Sequence, residues 1–131
     1  MQKFDVVALG ELLVDFTENG MSGQGNTILE ANPGGAPCNV LSMLQRLGKK
    51  TAFIGKVGND NFGRMLRDVV SEQGINTDNV IFDDDIHTTL AFVHTKEDGD
   101  RDFSFYRNPG ADMMLRKNEI NESLLENTKI F

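Results

Sequence analysis

The sequence predicts an α/β fold, in which a parallel β-sheet is covered by helices and a small antiparallel β-sheet sits to one side. Three observations carry this. Short, nearly continuous apolar runs alternate with capped amphipathic helices through the first eighty residues, as in parallel strands joined by right-handed crossovers. Residues 11–35, with glycines at 20, 23 and 25 and no helical period, are too long for an idle connection. Beyond residue 86 the apolar period becomes 2 on either side of Asp98-Gly99, a hairpin signal.

The elements follow in order. "FDVVALG" (residues 4–10) reads as a strand buried on both faces. "LLVDFTE" and "NTILEAN" are expected strands inside the 11–35 insertion. A first helix starts at Pro37, whose missing N–H is harmless at a helix N-terminus, and stops at Gly48. Val40, Met43, Leu44 and Leu47 are its expected apolar stripe. "TAFIGKV" (51–57) is the second core strand. Asp60 or Asn61 caps a second helix whose stripe is Phe62, Met65, Leu66, Val69 and Val70, ending at Gly74. "NVIF" (79–82) is a third core strand.

The strands "TTLAFVHT" and "DFSFYR" then form a hairpin. Leu90, Phe92 and His94 share one face of the first, and Phe103, Phe105 and Arg107 one face of the second. Such a pair does not fit inside a parallel sheet, so it joins the strands of the insertion in a side sheet. "EINESLLENTKIF" reads as a short helix and the first residues of another core strand. A strand cut at its start leaves an unpaired edge, so the chain is expected to be the N-terminal part of a longer, truncated domain.

Composition excludes several classes. The 131 residues are 39% apolar and 25% charged, suited to one globular domain with one core. A net charge of -7 argues against nucleic acid as partner. The single cysteine, Cys38, forbids an internal disulfide, and no run approaches the roughly 18 apolar residues of a membrane span. No membrane partner and a cytoplasmic location are the expectation.

The candidate site lies at Gly34, Gly35 and Asn39. First-turn N–H groups of a helix lack intrahelical partners and carry the positive end of its dipole. Glycines there let an oxygen-rich ligand approach, and the Asn39 amide offers a donor and an acceptor to a hydroxyl. A glycine turn with Asn39 as an ordinary polar residue fits the same pattern. Asp15 falls five residues past the first strand, at the carboxyl edge where open α/β sheets bind ligands. Its carboxylate suits two hydroxyls of a polyol, although a solvated aspartate reads the same way.

Other motifs fail. "GNDNFGRM" has phosphate-loop spacing, but Arg64-Met65 stand where Lys-Ser/Thr is needed, and no G-x-G-x-x-G occurs. His87 and His94 lack neighbours at ligand spacing, so no metal is expected. Asp83, Asp84 and Asp85 read as a solvated turn, and Met113-Met114 as core or hinge filling.

In order and spacing, "GELLVDF", "PGGAPCN", "RLG", "FIGKVGNDNFG", "GINT" and "DGDRDFSFYRNPGAD" resemble the ribokinase and fructokinase group, the phosphofructokinase B type carbohydrate kinases. The resemblance spans essentially the whole chain, and "GELLVDF" with "FSFYRNPGAD" is most like fructokinase. Leu41 departs from the small residue usual two places after the asparagine. The resemblance implies a ribokinase-like three-layer core, about 1–10, 34–86 and 110–131, and a lid, about 11–33 and 87–109. It implies that Asp15, Gly34, Gly35 and Asn39 hold sugar hydroxyls, with Phe103 and Phe105 as apolar cover and Arg107 as a weaker polar contact. It also implies ATP and Mg2+ as cofactors of the complete enzyme, not bound by this portion, and a homodimer through the lid.

The group's catalytic aspartate and anion hole belong to a "DTxGAGD"-like motif, and this sequence contains none. The chain is therefore expected to be inactive alone. The other readings are a non-catalytic sugar-binding module, a nucleoside or keto-deoxy-sugar-acid kinase of the same group, and a Rossmann-like nucleotide-binding domain.

Overall fold

The computed structural model describes residues 3–131. In chain order its elements are β1 (Phe4–Leu9), β2 (Leu13–Met21), β3 (Thr27–Gly34), α1 (Ala36–Arg46), β4 (Thr51–Gly58), α2 (Asn61–Glu72), β5 (Asn76–Asp83), β6 (Leu90–Thr95) and β7 (Arg101–Tyr106). Two 3-10 turns, Ala111–Met113 and Lys117–Glu119, lead to α3 (Glu122–Glu126) and β8 (Thr128–Ile130). The core sheet is parallel throughout, in the order β5-β4-β1-β8.

Three layers result from alternation along the strands. Phe53 and Val57 of β4 pack with Cys38 and Leu41 of α1 and Leu66 and Val70 of α2. Ala52 and Ile54 point the other way, onto Phe4, Val7 and Leu124 of α3. Helix α2 buries the expected stripe, and Asp60 caps it by accepting from the Gly63 N–H at 2.8 Å.

Helix α1 differs from its expected phase. Cys38 and Leu41 are its buried residues, whereas Val40, Met43 and Leu47 are exposed. The sequence holds two overlapping apolar stripes, and packing selects one. Pro37 lies so close over Gly10 that a Cβ there would be 2.5 Å from the Pro37 ring, which fixes the rotation of the helix. Leu41, the family departure, is fully buried.

The second sheet runs β3-β2-β6-β7 and is mixed, not antiparallel as expected. The pairs β2–β3 and β6–β7 are antiparallel, but β2 and β6 run parallel, with Asp15 beside Ala91 and Thr17 beside Val93. The reason is topological. β2 follows β1 and β6 follows β5, so both leave the same carboxyl edge of the core sheet in one direction. The "KEDGDR" turn forms as expected, with Gly99 at φ 85°.

The second sheet has two unlike faces. Phe16 and Phe92 stack at 5.0 Å, and Phe16 meets Phe62 of α2 edge-on at 5.6 Å, which anchors that face to the core. Asp15, Thr17, Asn32, Val93 and Phe103 occupy the opposite face.

Candidate sugar site

Asp15 is half-buried on β2 and faces an open cleft of about 510 Å³ that it shares with Thr17, Asn32, Val93, Arg101 and Phe103. Among the described residues no group donates a hydrogen bond to its carboxylate, and burial raises its pKa above the ordinary aspartate value. A half-buried acid without a donor is expensive to keep ionised. Hydroxyl donors from a ligand would meet that need.

The glycine pair serves the chain's own packing first. A Cβ on Gly34 would fall on Oδ2 of Asp15, so glycine is what lets the carboxylate lie against β3. Gly35, the N-cap of α1, sits at φ 133°, where side chains are strained, and a Cβ there would fall on the Glu11 carbonyl. Glu11 Oε1 accepts from the Ala36 N–H at 3.2 Å, so one first-turn donor of α1 is already satisfied.

Asn39 is exposed in the first turn of α1, and its side chain has no partner among the described residues. It borders a smaller cleft of about 50 Å³ between α1 and α2, with Gly34, Cys38, Ser42 and Gln73. Gly34 thus links the two halves of the candidate site, since it walls the Asn39 cleft and touches Asp15. Burial, and then Glu11, push the Cys38 thiol up to about 12, so it is an inert part of that wall.

The lid residues divide by role. Phe103 lines the Asp15 cleft and stacks on Phe105 at 6.1 Å, both rings being about half exposed. Arg107 is engaged elsewhere. Its guanidinium lies 5.2 Å over the Phe105 ring and donates to Asp112 Oδ2 at 3.1 Å, and Asp112 also accepts from the Thr89 hydroxyl. That cluster fastens the lid where it rejoins the core. A second fastening holds the start of β6, where Asp60 accepts from the Thr88 N–H at 2.9 Å and the Thr88 hydroxyl at 2.8 Å. Burial opposes ionisation of Asp60, but the N–H groups of Thr88 and Gly63 outweigh it and hold the carboxyl below its usual range.

Two features escaped sequence reasoning. Lys56, only 5% exposed on β4, donates to Glu119 at 2.8 and 3.0 Å and lies 3.5 Å from Asp83. Asp83 is therefore structural and not part of a solvated run; it also accepts from the N–H groups of Asp85 and Ile86. A lysine inside an apolar strand signals a buried acid partner, but nothing in the sequence says which acid. The second feature is Asn32, directly opposite Asp15, which only the β2–β3 register reveals.

Comparison with known proteins supplies the family. The model of the pfkB family carbohydrate kinases matches residues 3–131. Probable fructokinase-5 of Arabidopsis thaliana is 47% identical over 128 residues, a span of 96% of this chain and 40% of that protein. Fructokinase of Solanum tuberosum is 46% identical over 129 residues, with the same coverages. The crystal structure of fructokinase from Xylella fastidiosa superposes with a TM-score of 0.89 at 34% identity, over 97% of this chain and 39% of that one. The same enzyme with bound ATP superposes at 0.86. The chain thus spans about 40% of the length of these relatives. On the family match and these relatives together, it belongs to the pfkB family of carbohydrate kinases.

Proposed function

We propose that this chain is the sugar-holding portion of an ATP-dependent sugar kinase whose substrate is fructose. One observation carries the reading: the half-buried Asp15 carboxylate, without a donor among the described residues, lies against Gly34 in an open cleft. Asp15 accepts two hydroxyl hydrogen bonds, Asn39 reads a further hydroxyl from across Gly34, and Phe103 covers the apolar face of the sugar. Relatives named fructokinase support fructose over other sugars.

The chemistry of the family is phosphoryl transfer from ATP, with Mg2+, to a sugar hydroxyl. Neither the nucleotide nor the metal is assigned to residues of this chain in the proposal: the sequence has no phosphate loop, and no group of three or more His, Cys, Asp or Glu stands together among the described residues. In this reading the chain binds and orients the sugar, and phosphoryl transfer is left to the remainder of the fold. The exposed Phe105 ring of β7, which is not part of the Asp15 cleft lining, suits a homodimer through the lid. No described helix is long and apolar enough to cross a membrane, and the cytoplasm remains the proposed location.

Calorimetric titration tests the reading. Heat is expected with D-fructose and none with ATP, and Asp15→Ala should abolish the fructose signal. ATP binding without fructose binding overturns it. A coupled assay should detect no sugar-dependent ADP release by the chain alone; turnover would show that it holds a catalytic base of its own.

A further inference from the structure

We propose that Asn32 is a second sugar-reading residue, a hydroxyl acceptor beside Asp15 that sets specificity. The assignment rests on the sugar site above and adds to it a residue that the sequence motifs do not mark. Asn32 stands on β3 directly opposite Asp15, is half-buried, and lines the same cleft.

The side-chain amide is held in one orientation. Its Nδ2 donates to Thr17 Oγ1 at 3.0 Å, to the Glu30 carbonyl at 3.2 Å and to the Asp15 carbonyl at 3.3 Å. Rotating the amide by half a turn would set its oxygen against two carbonyl oxygens, so those partners fix which atom is which. The nitrogen is committed to the sheet and the carbonyl oxygen is left over. Among the described residues nothing donates to that oxygen.

Directly opposed residues of an antiparallel pair have Cβ atoms about 4.5–5.5 Å apart. The cleft therefore presents two acceptors from opposed residues, a carboxylate and a fixed amide carbonyl, and among the described residues neither receives a hydrogen bond. Two neighbouring hydroxyls of one sugar match that pattern by donating one bond to each. A sugar lacking one of them leaves a half-buried acceptor unpaired, and sites built to bond a hydroxyl reject its deoxy analogue for that reason. Phe103 and Val93 line the same cleft and bound it with apolar surface. Asn32 touches substrate in this scheme but moves no proton.

The test is calorimetry or saturation-transfer NMR on the 131-residue chain with D-fructose and its monodeoxy analogues. Asn32→Ala should weaken fructose binding about tenfold. One deoxy analogue should bind the wild type about tenfold more weakly than fructose, yet bind Asn32→Ala and the wild type equally. Asn32→Val, a strand former of similar size, repeats the measurement should the alanine variant lose the lid. Fructose binding unchanged in the folded variants, or every analogue weakened alike by them, removes Asn32 and leaves the Asp15 site standing. A wild-type chain that binds no sugar removes the site itself, and Asn32 with it.

Discussion

Strand β4 is buried at every one of its eight residues, and strand β7 is exposed at every one of its six. Both pair well in their sheets, so hydrogen bonding does not distinguish them. What differs is the cover. β4 lies between α1 and α2 on one side and the α3 layer on the other, whereas β7 is the outer strand of a sheet packed on one face only. Stability is therefore concentrated in the first sheet, and the second is free to present Asp15, Asn32 and Phe103 to a ligand.

The sharpest way to break that contrast is to truncate one phenylalanine in each sheet. Phe53→Ala empties a fully buried position and should cost about 3–5 kcal/mol, enough to unfold a small domain. Phe103→Ala should change stability by no more than about 0.5 kcal/mol, while weakening fructose binding roughly 2- to 10-fold. Urea unfolding of both variants, with sugar titration of the second, checks the pair. Equal losses of stability would mean that the lid is as integral to folding as the core.

A smaller effect is expected beneath β4. Glu119→Ala leaves Lys56 buried with Asp83 as its remaining acid at 3.5 Å, and should cost about 2 kcal/mol, less than a wholly unpaired buried charge. Lys56 and the Arg116 N–H hold Glu119 below its usual pKa, and the Asp85 and Ile86 N–H groups with Lys56 do the same for Asp83. Both carboxylates thus stabilise the fold above their unfolded values of 4.5 and 3.8, and that contribution is lost as pH falls through their lowered folded values. Thermal unfolding of Glu119→Ala should show a shallower loss of stability in acid than the wild type.

Asp60→Ala comes next. It removes the α2 cap and the fastening of Thr88 together, for about 1–2 kcal/mol. Hydrogen exchange should then quicken at Thr88 and along β6 more than in β4. Uniform quickening would mean that Asp60 supports the whole fold and not the lid junction.

What the sequence made legible follows the same division. Core strands and α2 were readable because burial on two faces and a capped stripe write themselves into local composition. The hairpin at Asp98-Gly99 was readable because the turn demands its glycine. The direction of β2 against β6 was not, since it depends on two distant segments leaving one sheet edge. The phase of α1 failed for a similar reason, because the contact of Pro37 with Gly10 decides between two apolar stripes. Within the site, Asp15 and the glycines stood out from spacing and family resemblance. Asn32 did not, because its meaning lies in a cross-strand register, and the pairing of Lys56 with Glu119 spans 63 residues, nearly half the chain.

The smallest expected change in stability is also the one of opposite sign. Burial raises the Asp15 pKa, so the folded chain holds that proton more tightly than the unfolded chain does. Stability from this group is fully present below the unfolded aspartate value and falls as pH rises through the raised folded value, the reverse of Glu119 and Asp83. Asp15→Asn removes the ionisation, so it should raise the melting temperature slightly at neutral pH and flatten that part of the pH profile. It should also weaken fructose binding, by about 10- to 100-fold if a charged acceptor is lost. A structural acid would lose stability on the same change, so a gain in melting temperature joined to a loss of affinity separates the two roles. Melting curves from about pH 3 to pH 8, with a sugar titration at neutral pH, measure both. A lowered melting temperature at neutral pH would mean that Asp15 has a donor in the folded chain and belongs with the structural acids of the core.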